Sequence, residues 1–309
     1  MNTILITGGA GYLGSILIPR LLKKNKVILY DNFMYGFDSI LHFAEHKNLQ
    51  IIKNDIRNLS EVKKVISKAD YIFHLAAIVG YPACANDVNR ATSVNVNGTK
   101  NIVKFLSKNQ NLIYASTGST YGRVQDIATE NTSIEPLTLY GKTKALAENI
   151  CMNSRSKVVA LRFATVFGVS PRMRFDLLVN NLVYEAVHHK QIVVYEGHFK
   201  RTFIHNSDAV ASIIFCFNNF LKIKNNIFNV GDNKLNMKKI EVAKLVQKYT
   251  NCFIYESNSG TDLDQRNYEV SYEKFNSYGF KCKVYMENTI QNLIKVASNM
   301  KIYNKWSNN

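Results

Sequence analysis

The sequence predicts an α/β fold, a doubly wound parallel sheet with a smaller α/β region on its C-terminal side. Three observations predict it. Apolar runs of strand length alternate with helical patterns through the first half of the chain. The chain opens on an apolar strand that runs into Thr7-Gly8-Gly9-Ala10-Gly11-Tyr12-Leu13-Gly14, a glycine-rich turn heading a helix. After about Gly168 the alternation gives way to short β signals and separate helices.

The elements follow in order. Strands are expected at 3–6, 26–30, 49–53, 71–74, 112–115 and 158–163, with helices at 13–24, 60–67, 92–107 and 139–151. Such alternation covers both faces of a parallel sheet with helices, the Rossmann-type arrangement. Pro19 falls inside the first helix, where proline is unfavourable by about 3 kcal/mol in an exposed interior. Leu13, Ile16, Leu17 and Leu21 keep one face apolar, so the helix is retained. Further on, strands are expected at 192–195, 202–205, 227–230 and 253–256, and helices at 176–188, 208–220 and 237–248. The expected division is a dinucleotide-binding part over 1–167 and a mainly substrate-binding part over 168–309, partly interwoven with it. The Asn- and Lys-rich end, 301–309, is expected to be frayed surface.

Composition narrows the class. A chain of 309 residues, 46% hydrophobic, can bury a full core. No apolar run approaches the ~20 residues that span a bilayer, and the start lacks the basic-then-apolar pattern of a signal peptide. Cys84, Cys151, Cys216, Cys252 and Cys282 are scattered, with no C-x-x-C spacing. They point to a reducing compartment, the cytoplasm, and away from disulfides or a metal site. The net charge of +16 comes from lysines spread along the whole chain, without a nucleic-acid-binding motif. Neither nucleic acid nor membrane is an expected partner, while a polyanionic small molecule suits the charge.

The chemistry rests on a few residues. Gly8, Gly11 and Gly14 let backbone amides approach a pyrophosphate at a helix N-terminus. Asp31 ends the second strand, where a carboxylate bonds an adenosine ribose and repels a 2′-phosphate; Asn32, not arginine, follows it. Both favour NAD over NADP. Asp55 and Ile56 follow the third strand and either meet the adenine or form a plain turn. Tyr140-Gly141-Lys142-Thr143-Lys144 puts a phenol and an ammonium one helical turn apart on one face. Free tyrosine, with a pKa of about 10, is a poor base at neutral pH; a neighbouring ammonium favours its phenolate. Lys144 would also bond the nicotinamide ribose. Thr117 leaves the fifth strand at the carboxyl edge, where its hydroxyl can polarise a reacting alcohol. A dinucleotide cradle with such a pair is equipment for hydride transfer between an alcohol carbon and a nicotinamide.

These motifs resemble the extended short-chain dehydrogenase/reductases of the nucleotide-sugar epimerase/dehydratase type, nearly end to end. Besides the glycine turn, Asp31 and Tyr140-x-x-x-Lys144, the matching residues are His74-Leu75-Ala76-Ala77, Asn95-Val96-Asn97-Gly98-Thr99, Ser116 to Gly122, Leu161-Arg162-Phe163, and Arg201-Thr202-Phe203-Ile204-His205 with Asp208. Ala76-Ala77-Ile78-Val79-Gly80-Tyr81-Pro82-Ala83-Cys84, Ser170-Pro171-Arg172-Met173-Arg174-Phe175-Asp176 and Arg266-Asn267-Tyr268 are similar to a subgroup, the GDP-heptose 4-dehydrogenases of capsular polysaccharide biosynthesis. The resemblance implies further NAD contacts at Tyr12, Leu13, Leu75, Ala76, Ala77 and Phe163. It implies substrate contacts at Val79, Gly80, Thr165 and Arg174, a diphosphate held by Arg201 and Arg266, and a nucleotide site lined by Asn180 and Asn181. A homodimer through helices 92–107 and 139–151 is implied as well.

There are departures from the pattern. Dehydratases of this superfamily carry an Asp-Glu pair after the catalytic threonine, and this chain has Gly118 and Ser119. An asparagine common in 4-epimerases is replaced by Thr165. Cys84 is either an acid like those of epimerase-reductases or a small buried residue; His188 and His189 are expected on a solvated helix face. The expected activity is NAD-dependent oxidation at C4 of a nucleotide sugar, GDP-D-glycero-α-D-manno-heptose by the subgroup's resemblance. A 4-epimerase using the same residues and a non-catalytic NAD-binding module are the alternatives.

Overall fold

The computed structural model describes residues 1–257, 267–300 and 308. Seven parallel strands build its main sheet, in the spatial order Asn226–Val230, Lys157–Phe163, Asn111–Thr117, Tyr71–His74, Thr3–Thr7, Lys26–Asp31 and Leu49–Lys53. Strand order reverses between Thr3–Thr7 and Tyr71–His74, and ligands of such sheets bind at the crevice there. The central strands carry apolar residues on both faces because helices cover both. Ile4 and Ile6 pack with Leu17, Ile18 and Leu21 of the helix Gly14–Leu22 and with Val210 and Ile213 of the helix Asn206–Asn218. Leu5 points the other way, into a core with Val62, Val65 and Ile66 of the helix Leu59–Ile66, and with Ile102, Ala147 and Cys151. Pro19 lies inside the first helix as expected, its cost offset by that buried face.

The expected helix over 92–107 is three pieces: Val88–Thr92, a π-helical stretch Ser93–Gly98, and Thr99–Phe105. At the end of this stretch Gly98 packs directly on Ile56, where a Cβ would lie 2.4 Å from Cδ1. The strand expected at 227–230 is the edge of the main sheet, not part of a separate one.

A third core lies outside the main sheet. It joins the helices Leu178–His188, Lys239–Thr250 and Met286–Ala297 to the paired strands Gln191–Tyr195 and Phe253–Ser257. Two of its neighbours were not anticipated, the short strand Thr165–Phe167 beside Lys200–His205 and the helix Met286–Ala297 itself. Among the described residues no helix is long and apolar enough to cross a membrane.

Candidate active site

The chain leaves Thr3–Thr7 through a turn that glycine alone allows. Gly8 has φ 73°, and a Cβ on it would lie 2.6 Å from the amide nitrogen of Ala76. A Cβ on Gly14 would meet the carbonyl oxygen of Gly9 at 2.5 Å. The close turn and the head of the helix line one side of a cavity of about 760 Å³. Asp31 closes the next strand. Its Oδ2 accepts the amide of Ala10 at 3.0 Å and its Oδ1 that of Phe33 at 2.8 Å, which aims the carboxylate and leaves lone pairs for a ligand. Burial raises its pKa while those amides lower it. Asn32 donates Nδ2 to Asp55 Oδ2 at 3.1 Å. Burial pushes the Asp55 carboxyl up, but bonds from Arg57 and Asn32 outweigh that and hold it at about 2. Ile56, Leu75, Ala76, Ala77, Tyr12, Leu13 and Phe163 line the same cavity. A tight glycine turn at the head of a helix, with an oriented carboxylate on the same cavity, fits a dinucleotide such as NAD.

Tyr140 and Lys144 lie on the helix Leu139–Met152, whose first turn is capped by Thr138 Oγ1 accepting the Gly141 amide at 3.1 Å. Gly141 lets this helix approach the end of the fifth strand, since a Cβ there would sit 2.7 Å from the Ser119 carbonyl oxygen. Lys144 is 3% exposed and its Nζ stands 4.1 Å from the centre of the Tyr114 ring. Burial brings its pKa down to about 8, against the opposing pull of Cys151, Glu148 and Cys84. Thr117 Oγ1 donates to Ser119 Oγ at 3.1 Å and accepts the Ser119 amide at 3.2 Å. Thr117, Tyr140 and Lys144 line the cavity that holds the glycine turn.

Two buried networks behind these residues had no role assigned from the sequence, although His74, Asn95 and Arg162 stand in its motifs. In the first, the Ala76 amide donates to Thr7 Oγ1 at 3.4 Å, and Thr7 Oγ1 lies 2.7 Å from His74 Nδ1. His74 Nε2 lies 2.9 Å from Thr99 Oγ1, which donates to the Asn95 carbonyl at 2.6 Å. Thr99 therefore accepts from Nε2–H, and with the imidazole neutral Thr7 donates to Nδ1. Burial, then the Lys144 charge, lowers His74 to about 3. Asn95 Nδ2 reaches Thr143 Oγ1 at 3.0 Å, and Thr143 donates to the Tyr140 carbonyl at 3.0 Å. The strand Thr3–Thr7 and the helix Leu139–Met152 are thus tied through the π-helical turn. In the second network Arg162 holds Glu148 and donates Nη1 to Tyr121 at 2.9 Å, and Tyr121 donates to Asn229 Oδ1 at 2.6 Å.

The substrate side is brought together in part. Val79, Gly80, Thr165, Arg174, Asn181 and Arg201 line the cavity, with Arg174 paired to Asp176. Asn180 corrects the expectation. It is fully buried, its Oδ1 accepting the Gly168 amide at 3.0 Å and its Nδ2 donating to the Arg174 carbonyl at 2.8 Å, so it braces the wall from behind. Arg266 lies outside the described residues. Lys239, Arg172 and Tyr195 line the cavity without having been anticipated, because only tertiary packing brings their elements there. Cys84 is fully buried with its thiol donating to the Ile78 carbonyl at 3.4 Å, and burial pushes it up to about 11; it is a packing residue. His189 pairs with Glu185 on an exposed helix end.

A glycine turn at a helix head, an amide-held aspartate and a Tyr/Lys pair line one cavity, and the enzyme is NAD-dependent. The chain belongs to the NAD dependent epimerase/dehydratase family, whose model matches residues 4–231, and NAD is its cofactor. It is 33% identical over 226 residues to the uncharacterized UDP-glucose epimerase YtcB of Bacillus subtilis, covering 68% of this chain and 71% of that one. It is 30% identical to a UDP-N-acetyl-alpha-D-glucosaminuronate decarboxylase of Bacillus cytotoxicus, covering 80% and 79%. Its fold matches that of a UDP-glucuronic acid 4-epimerase from Bacillus cereus, with TM-score 0.85, 23% identity and 96% and 98% of the two chains covered.

Proposed function

We propose that the chain oxidises C4 of a nucleotide sugar, with Tyr140 as the base. One observation carries this reading: Tyr140, Lys144 and Thr117 share a cavity with Gly8, Gly11 and Asp31. NAD, when bound, supplies the hydride acceptor. The Tyr140 phenolate takes the hydroxyl proton, Thr117 orients the oxygen, and the Lys144 ammonium favours the phenolate over the phenol. His74 stays neutral and holds the Thr7 to Asn95 chain in one hydrogen-bond direction. Gly118 and Ser119 bring no carboxyl to this point, which disfavours expulsion of water from the sugar. The outcome is then a released 4-keto sugar or, after hydride return to the other face, a 4-epimer.

The relatives' names support a uridine diphosphate sugar. The motif resemblance supports a GDP-heptose instead, and Arg201 serves either because the diphosphate is common to both. Arg201→Lys keeps the charge but loses the planar two-pronged geometry, so it should weaken nucleotide-sugar binding and leave NAD bound. We read residues 1–167 as mainly cofactor-binding and 168–309 as mainly substrate-binding. Five free cysteines support a reducing compartment, the cytoplasm. A homodimer through the helices over 92–107 and 139–151 is supported by Leu146, which is 57% exposed on the second of them. Sedimentation at twice 35.2 kDa is the expected result.

The deciding experiment is mass spectrometry and NMR of the NAD-loaded enzyme with a panel of UDP- and GDP-sugars. Loss of two hydrogens marks a dehydrogenase, and an isomer of unchanged mass marks an epimerase. If no panel member changes in either way, the reading is wrong.

A further inference from the structure

Residues 168–174 form a strap that crosses the glycine turn. The Tyr12 hydroxyl donates to the Gly168 carbonyl at 2.5 Å, and Ser170 Oγ donates to the Tyr12 carbonyl at 2.8 Å. Ser170 Oγ also lies 3.2 Å from Ser15 Oγ in the first helix. Asn206 fixes the strap's other side, Nδ2 donating to the Val169 carbonyl at 2.7 Å. Two residues past Ser170, the Arg172 guanidinium carbon stands 4.4 Å from the centre of the Tyr35 ring. Nη1 of Arg172 donates to the Met173 carbonyl at 2.5 Å and Nη2 to Asn308 Oδ1 at 2.9 Å, which holds the guanidinium in place.

Tyr35 belongs to the loop that follows Asp31, the residue facing the adenosine ribose. Two left-handed residues shape this loop, Phe33 at φ 55° and Gly36 at φ 84°, and the Gly36 amide closes it onto the Phe33 carbonyl at 2.9 Å. Phe33 roots the loop in the core, Phe37 is 58% exposed, and the Met34 sulfur lies 3.7 Å from Arg90 Nη2. Tyr35 is the side chain by which the loop meets the strap. Met34, Tyr35, Gly36 and Arg172 all line the cavity with Gly11 and Tyr12. Arg172 is 5% exposed, so its contact with the ring is shielded from water, where a cation on an aromatic face is strongest.

We propose that Arg172 and Tyr35 form a latch that retains the dinucleotide between turnovers. The inference rests on the NAD reading above. A dinucleotide reaching from the glycine turn to Asp31 lies between the walls that this contact joins, and its departure requires strap and loop to part. Retention keeps the reduced cofactor at hand to return its hydride, which favours the 4-epimer over a released ketone.

The test is stopped-flow displacement of bound NADH by excess NAD, followed by NADH fluorescence. Tyr35→Leu and Arg172→Gln should each release NADH about tenfold faster, and Tyr35→Phe, which keeps the ring, should match the wild type. The double variant Tyr35→Leu/Arg172→Gln should be no faster than either single one, because both remove the same contact. Release from Tyr35→Leu at the wild-type rate, or from Tyr35→Phe as fast as from Tyr35→Leu, overturns the proposal. Additive effects in the double variant overturn it too, since Arg172 would then act on the dinucleotide directly. A wild-type protein that binds no NADH would instead sink the cofactor reading, so the two failures are distinct.

Discussion

Glu148 grips Arg162 in the interior with three hydrogen bonds, of 2.6, 3.0 and 3.2 Å, one helical turn beyond Lys144. Both side chains are at most 5% exposed. Tyr140, Lys144 and Glu148 recur every four residues, so the carboxylate that anchors the helix to the strand Lys157–Phe163 shares a face with the phenol and the ammonium. The anchor fixes where phenol and ammonium stand relative to the sheet edge that carries Thr117.

Arg162→Met leaves that carboxylate buried beside an apolar side chain. Removing one partner of a buried pair costs about 3–5 kcal/mol, and urea unfolding should register a loss of that order. Arg162→Met with Glu148→Leu should recover most of it. A single variant as stable as the wild type would show that the pair bears no weight in folding.

Tyr140→Phe retains the ring and its packing but removes the proton acceptor. NAD binding should be unchanged by calorimetry, while turnover falls at least a thousandfold, about 4 kcal/mol in transition-state terms. A variant within tenfold of the wild type would remove Tyr140 from the mechanism.

Asp31→Ala deletes an acceptor already held by the Ala10 and Phe33 amides. NAD affinity should drop about tenfold, the weight of a hydrogen bond to a charged group. NADP affinity should drop less, because the repulsion of a 2′-phosphate disappears with the carboxylate. Titration of both cofactors measures the gap, and a gap that widens would contradict the assignment.

Lys144 predicts a pH effect in two observables. Its pKa in the folded chain is about 8, below its ordinary 10.5. Below about pH 8 folded and unfolded chains both carry the proton and the full penalty of burying the charge is present. Between about 8 and 10.5 the unfolded chain binds more protons, so this side chain's contribution to stability rises with pH. Turnover should move the opposite way, falling above about pH 8 as the ammonium is lost. Lys144→Met should abolish the stability increment in that window, measured by urea unfolding on either side of it. An unaltered pH dependence would mean that the amine is not what titrates.

The first half of the fold was legible because its signals are local. Strands such as Thr3–Thr7 and Tyr71–His74 are continuous apolar runs, and the glycine turn and the Tyr140 pair are read within a few residues. The helix Met286–Ala297 escaped notice because Glu287, Asn288, Gln291, Asn292 and Lys295 mask its buried Met286, Ile290, Leu293 and Ala297. The π-helical turn at Ser93–Gly98 was illegible for another reason. Its residues carry no local pattern that sets a π turn apart from an α turn, and Asn95 within it bonds to Ile78 and Thr143, 17 and 48 residues away. Asn180 and Asn181 are neighbours of like chemistry, yet only Asn181 lines the cavity, since the helix Leu178–His188 chooses its inward face by packing. Long-range pairs such as Glu148 with Arg162 follow from the meeting of helix and strand, which no local pattern encodes.

The edge strand Asn226–Val230 pairs along its whole length with Lys157–Phe163, far from its neighbours in sequence. The chain therefore leaves the main sheet after Lys157–Phe163, builds part of the third core, and returns to complete the sheet. A fragment cut at residue 167 would expose the unpaired backbone of Lys157–Phe163, a template for aggregation. Recombination between relatives meets the same barrier. A new specificity half cannot be spliced on at one junction, and a productive chimera must import the homologous edge strand or keep the resident one.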